Sequence, residues 1–187
     1  MSTDIVFPNG NEREFIQMAE RLGISELVLA YSRPPNALSS STPKLKVRSA
    51  ILAQPNQVQA TKHKAGFVIT KAAANEQDRF LFEKAKPSII FDLEQSARPD
   101  GLFQRNSGLN HIMAALAAKN EITIGFSFSS ILNSSGFRRA QIIGRMAQNL
   151  VLCRKYKVKT LFASFAHSPP EMRSEHDLKS FFGLLGV

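Results

Sequence analysis

The strongest constraint on this chain is an alternation: short, unbroken apolar runs are separated by segments of helical periodicity along most of its 187 residues. DIVF (4–7) precedes the amphipathic NEREFIQMAERLG (11–23), which leads to ELVLAY (26–31). A Pro/Ser-rich stretch, PPNALSSSTPKLK (34–46), gives way to VRSAILAQ (47–54), a turn at Pro55-Asn56 and AGFVIT (65–70). The helical NEQDRFLFEKA (75–85) comes before SIIFDLE (88–94). A small-residue helix (107–119), a strand (121–128), a long helix (136–156), TLFASFA (160–166) and SEHDLKSFFGLL (174–185) complete the order. Strands without a polar face must be covered on both sides, and a parallel sheet clothed in helices does this.

Seven such strands predict a single α/β domain spanning 1–187, built as a TIM-like (β/α) barrel. An open doubly wound sheet also satisfies the alternation, but no G-x-G-x-x-G or G-x-x-x-x-G-K-[ST] loop follows any strand. A full eight-unit barrel takes about 250 residues. The predicted barrel is therefore compact and irregular, mostly parallel strands ringed by helices, with loops replacing helices at Ser32–Lys46 and Gln54–Lys64.

Charge narrows the function. Twenty-four Lys and Arg against fifteen Asp and Glu leave a net charge of +9, a balance that favours polyanionic partners, nucleic acid above all. The excess is blocked. No acid lies between Glu26 and Glu76, where Arg33, Lys44, Lys46, Arg48, Lys62, Lys64 and Lys71 fall. None lies between Glu121 and Glu171 either, against Arg138, Arg139, Arg145, Arg154, Lys155, Lys157 and Lys159. The lone cysteine, Cys153, forms no internal disulfide and fits a reducing compartment. The N-terminal segment carries Asp4, Glu12 and Glu14, unlike a signal peptide, and no apolar run approaches the ~18 residues of a membrane span. A soluble cytoplasmic protein with no membrane association is expected.

On a wheel of about 100° per residue, Ile142, Ile143, Met146, Ala147, Leu150 and Cys153 share one side of the 136–156 helix. Arg138, Gln141, Arg145, Gln148 and Asn149 share the other, without an acid. That side is predicted to face solvent and to suit phosphates and sugars. Cys153 is predicted to be inert core. Asn106 or Ser107 is the predicted cap of the 107–119 helix, with Arg105 beside it as in anion sites. Ser174, preceded by Arg173 and followed by Asp177 three residues on, is the predicted cap of the last helix.

In such barrels the carboxyl ends of the strands form the functional face. Asp92, Glu94, Ser127, Ser129, Ser164 and His167 are predicted to meet there. His63, His111, His167 and His176 show no close ligand spacing. Asp4, Asp92, Glu94 and His167 have the chemistry for Mg, Mn or Zn, and define an alternative function, an autonomous metal-dependent phosphoesterase. No G-x-S-x-G elbow supports a serine hydrolase. A barrel enzyme acting on sugar phosphates would want a glycine-rich phosphate loop after a late strand, and none is present.

Four blocks carry a resemblance: DIVFPN, RNSGLNHIMAALAAKNEITIGFSFSSIL, SGFRRAQIIGRMAQNLVLCRKYKV and ASFAHSPPEMRSEHDL. Together they resemble ribonuclease P protein component 3, the archaeal counterpart of the eukaryotic p30 subunit, most strongly from about Arg105 to Gly186. The resemblance implies a TIM-like barrel related to the polymerase-and-histidinol-phosphatase (PHP) phosphoesterases. Asp4-Ile5-Val6 stands where those enzymes carry His-x-His, so no metal is expected on this chain. It further implies a protein subunit of a ribonucleoprotein endonuclease that removes the 5′ leader of precursor tRNA. There the RNA subunit is the catalyst and uses Mg²⁺, and the protein contributes no catalytic residue.

The implied partners are the ribonuclease P RNA, component 2 (two copies of each protein in a heterotetramer), the other protein subunits, and precursor tRNA as substrate of the complex. The expected RNA contacts are Arg105, His111, Lys119, Arg138, Arg139, Arg145, Lys155 and Arg173, followed by Lys44, Lys46, Lys62 and Lys64.

Overall fold

The structure, a computed structural model, describes residues 2–33, 44–63, 66–73, 77–102 and 104–186. Seven strands form one sheet in chain order, every neighbouring pair parallel: β1 (Thr3–Val6), β2 (Glu26–Tyr31), β3 (Lys46–Ala53), β4 (Val68–Lys71), β5 (Ile89–Phe91), β6 (Thr123–Ser127) and β7 (Thr160–Ala163). The sheet curls until its edges meet. Val6 bridges Ala166 in parallel, and the Phe7 amide donates to the Ala166 carbonyl at 2.8 Å. Asp4 completes the seam by accepting from the Ser164 amide at 2.5 Å. The result is the α/β, TIM-like barrel that the alternation predicts.

Around it lie α1 (Glu12–Arg21), α2 (Val58–Lys62), α3 (Gln77–Phe80, extended by a π turn over Leu81–Ala85), α4 (His111–Lys119), α5 (Phe128–Leu132), α6 (Gly136–Tyr156) and α7 (Glu175–Leu184). Several expectations shift. The 54–64 loop contains a 3-10 turn at Pro55–Gln57 and then α2. The 88–94 strand stops at Phe91, because Asp92 adopts a left-handed backbone (φ 62°) and turns the chain into a 3-10 segment, Leu93–Gln95. The helix expected from 107 begins at His111. Its cap is Asn110, whose side chain accepts from the Met113 amide at 2.9 Å.

Period-two alternation sorts each strand's residues. Ile5, Val28, Ala50, Ile69, Ile89, Phe91, Ala163 and Phe165 fill the barrel interior. Leu27, Leu29 and Val47 point outward onto Phe15 and Ala19 of α1. Val68, Ile90, Ile124 and Phe126 belong to the larger outer layer with Met113, Ile142, Met146, Leu150 and Phe182. Cys153 is buried there as expected, its thiol pushed up to about 12 by burial.

Gly125 in β6 shows how full the interior is. A Cβ there would stand 2.7 Å from Cζ of Phe165 and 3.1 Å from Cβ of Phe91. Replacing it with valine forces those rings apart. Gly125→Val should lower stability by about 1–3 kcal/mol, the usual cost of overpacking. Denaturant titration checks this, and an unchanged midpoint would show that the aromatic stack yields freely.

Candidate nucleic-acid interface

In a parallel barrel the helices run back against the strands, so strand beginnings and helix ends share one end of the barrel. Lys46 and Arg48 begin β3, Lys62 ends α2, Lys84 lies in the π turn after α3, Lys119 ends α4, Arg154 and Lys155 lie in the last turn of α6, and Lys157 and Lys159 lead into β7. All are exposed. Contacts across that end confirm the placement. Lys62 Nζ donates to the Lys86 carbonyl at 2.6 Å, and Lys159 reaches Glu121 at 3.4 Å. Lys46 and Arg48 both reach Glu26, at 3.7 and 3.3 Å. Such exposed pairs contribute little and leave most of the field in place. Lys84, Lys119, Arg154, Lys155 and Lys157 make no salt bridge with an acid among the described residues.

The arginines expected at the interface are engaged with their own chain. Arg145 requires the largest correction. Expected on the solvent side of α6, it is 0% exposed. Its Nε donates to Asp100 at 2.9 Å, while Nη1 and Nη2 donate to the carbonyls of Glu94, Ser96 and Arg98 at 3.1, 2.6 and 2.6 Å. Asn149, from the same face, is also fully buried and donates to the Ser107 carbonyl at 2.8 Å. Gln148 donates to Arg105 and Ser107. The polar side of α6 grips the β5–α4 connection.

Arg138 donates to Gln141 and Gln95, and Arg139 to the carbonyls of Ile131 and Ser134 at the end of α5. Arg105 donates to the Gly144 carbonyl at 3.1 Å. It does not flank a helix cap, since α4 is capped at Asn110. Arg173 donates to the Pro170 and Met172 carbonyls and covers the Phe128 ring at 5.5 Å. Its neighbour Ser174 does cap α7, accepting from the Asp177 amide at 3.2 Å. His111, Lys44, Lys119 and Lys155 are exposed, and Lys155 lies 5.8 Å from the Tyr156 ring centroid. Lys64 lies outside the described residues.

At the opposite, carboxyl end a cavity of about 750 Å³ opens. Ser127, Ser129, Asp92 and His167 line it as expected, but Asp4, Glu94 and Ser164 do not. Asp4 points out of the barrel because Ile5, its neighbour on β1, points in. Burial raises its carboxyl to about 6, against the pull of Ser164. Glu94 is 0% exposed, and neither of its oxygens finds a hydrogen-bond partner among the described residues. Burial, reinforced by the Asp92 charge, raises its pKa well above the carboxylate range. The four residues of the phosphoesterase alternative therefore do not converge. Among the described residues no three His, Cys, Asp or Glu are grouped to hold a metal. The serines serve architecture: Ser127 caps α5, Ser129 donates to Glu171 at 3.2 Å, and Ser130 to Asp92 at 2.6 Å.

A TIM-like barrel with a cationic rim and, among the described residues, no assembled catalytic cluster is the class of protein these features define. Comparison with known proteins sharpens this. No family model matches the chain. It is similar to Ribonuclease P protein component 3 of Methanocaldococcus jannaschii, 27% identical over 96 residues, 51% of this chain and 41% of that protein. The same protein of Methanosarcina mazei is 35% identical over 85 residues (46% and 36%), and that of Thermococcus kodakarensis 38% over 77 residues (41% and 35%). The matched segments thus span about two fifths of these relatives' length. In fold the chain is similar to one in the cryo-EM structure of archaeal Ribonuclease P with mature tRNA, with a TM-score of 0.79 and 20% identity, covering 98% of this chain and 82% of that one. The resemblance to ribonuclease P protein component 3 is one of sequence, and the likeness to a chain of the archaeal complex is one of fold.

Two outcomes follow from this geometry. Arg145→Ala leaves the Glu94, Ser96 and Arg98 carbonyls without their donor, while Asp100 keeps Asn106 and Gln141, and should cost about 1–3 kcal/mol for each carbonyl left buried and unsatisfied. Thermal unfolding measures it, and a loss under about 1 kcal/mol would mean the guanidinium is dispensable. Asp4 and Glu94 hold protons more tightly folded than unfolded. Their stabilisation is complete below their ordinary pKa values and declines as pH rises. For Asp4 the decline runs from 3.8 to about 6, and for Glu94 it extends further. The melting temperature should fall from about pH 4 to about pH 8, and Glu94→Gln should fall less steeply. Parallel curves for the two proteins would contradict the buried, protonated Glu94.

Proposed function

We propose that this chain is a protein subunit of ribonuclease P, the ribonucleoprotein that removes the 5′ leader of precursor tRNA, and that it supports the catalytic RNA together with component 2. The sequence match to component 3 carries this reading. Its mechanism is electrostatic. The cationic rim neutralises phosphates, displaces condensed counterions and holds a folded RNA in place. The RNA subunit and its Mg²⁺ perform the cleavage, and this chain supplies no reacting group. Within the assembly, two copies pair with two copies of component 2, in the cytoplasm. No described helix is long and apolar enough to cross a membrane.

The rim makes Lys44, Lys119, Arg154, Lys155 and Lys157 the leading phosphate ligands, while His111, exposed at the first turn of α4, is a contact away from the rim. Arg105, Arg138, Arg139 and Arg173 act mainly by holding the loops that shape the surface. Lys46 and Lys62 contribute after exchanging their present partners, Glu26 and the Lys86 carbonyl.

Changing Lys119, Arg154, Lys155 and Lys157 to alanine should weaken RNA binding for all sequences alike. The slope of log affinity against log salt should shrink by about 0.7–0.9 for each phosphate that is no longer neutralised. Reconstitution with the cognate RNA and component 2, assayed for precursor tRNA cleavage, should show the same variant impaired at limiting Mg²⁺. Wild-type cleavage with the quadruple variant, or full cleavage with this chain omitted, would overturn the proposal.

A further inference from the structure

The carboxyl-end cavity differs in chemistry from the cationic rim. Its floor is aromatic: Phe91 and Phe165 stack at 4.6 Å and 17°, and Phe7 stacks on Phe91 at 5.6 Å. The exposed imidazole of His167 stacks on Phe7 at 4.8 Å and extends the slab towards solvent. Two residues that line the cavity hold left-handed backbone, Asp92 (φ 62°) and Phe165 (φ 49°). For residues other than glycine this costs about 1–3 kcal/mol each and is concentrated at sites that bind something. Both stand just past strand ends, and both turn their side chains towards one space.

The polar groups are as particular. Lys71 Nζ meets Asp92 Oδ2 at 3.0 Å, and Ser130 donates to the other oxygen at 2.6 Å. Among the described residues, one exposed ammonium beside one buried carboxylate leaves the mouth close to neutral. Gln54, Asn56 and Asn133 stand around it, and among the described residues no side-chain hydrogen bond engages any of the three. Each free carboxamide offers both a donor and an acceptor.

We propose that this mouth is a single-nucleotide pocket. It takes a flat base against the exposed imidazole of His167 at the end of the buried aromatic stack, reads the base edge with Gln54, Asn56 and Asn133, and holds one phosphate near Lys71. Carboxamides pair naturally with the mixed donor–acceptor edges of nucleobases, and aromatic surfaces accept any base face. A cavity of about 750 Å³ is of ordinary ligand size. A single ammonium among the described lining residues suits one phosphate and not a polyphosphate. Neither β6 nor β7 is followed by the glycine-rich loop of sugar-phosphate barrels. The nucleotide is either free or the unpaired end of an RNA strand. The proposal does not rest on the ribonuclease P reading, because it uses the opposite end of the barrel.

The test is protein-observed NMR of the full chain titrated with AMP, CMP, GMP, UMP, the four corresponding nucleosides, a short single-stranded RNA and inorganic phosphate. At least one mononucleotide, or the RNA, should saturate shifts at the mouth. Saturation by a mononucleotide identifies a free ligand, and saturation by the RNA alone identifies a strand end. Asn133→Leu and Gln54→Leu, both at exposed positions, should each weaken binding about tenfold, equivalent to about 1.4 kcal/mol. Lys71→Ala should remove the preference for nucleotide over nucleoside. The proposal is overturned if neither mononucleotides nor RNA saturate the mouth, if inorganic phosphate binds as well as nucleotide, or if both leucine variants bind normally.

Discussion

Arg145 brings a full positive charge to a place water does not reach, and such a charge survives only where every donor has an acceptor. Here Asp100 supplies the countercharge, and the carbonyls of Glu94, Ser96 and Arg98 take further N–H groups. Those carbonyls belong to a connection with little regular structure that would otherwise bury unsatisfied oxygens. One guanidinium thus satisfies the loop and fixes its path. Gln141 adds a bond to Asp100, and Asn149 takes the Ser107 carbonyl. Because the β5–α4 connection starts at Asp92 and ends at the α4 cap, this one knot sets both the cavity wall and the start of α4.

The same knot explains where sequence reasoning succeeded and where it failed. The bounds of α6 (136–156) and β2 (26–31) were legible because their apolar periodicity is long and uninterrupted. The chemistry of α6 was not. A helical wheel knows one element, and the acid that draws Arg145 inward lies 45 residues away, in a loop no periodicity predicts. Two acid-free blocks looked like a directed field, yet acids from outside them enter to pair: Asp100 with Arg145, Asp92 with Lys71, Glu121 with Lys159, Glu26 with Arg48. The start of α4 did carry a signal. Gly108 has φ 77°, and a Cβ there would collide with the Leu93 carbonyl, so a glycine at that point marks a close chain crossing, not a helical turn.

Strand parity accounts for the acids. Within DIVF, an inward Ile5 and Phe7 oblige Asp4 to face out, so it never belonged with the mouth residues. Asp92 and Glu94 share parity only if the strand continues. The left-handed turn at Asp92 ends the strand and sends Glu94 into the core instead. A protonated Glu94 resolves what would be an intolerable charge, at the expense of alkaline stability. Of Asp4, Asp92 and Glu94, the fold leaves only Asp92 lining the mouth.

The two ends of the barrel then divide the labour electrostatically. Parallel helices gather their C-terminal partial charges at the amino-terminal end, about half an electron charge for each helix. Basic residues there are expected simply to offset them. At α6, however, Arg154, Lys155 and Lys157 stand against that half charge, so most of their positive charge remains uncompensated by the helix they cap. A polyphosphate surface is the partner that matches such a surplus. The mouth, holding Lys71 against Asp92 over stacked rings, matches it poorly, so the two ends of the barrel suit different ligand chemistry.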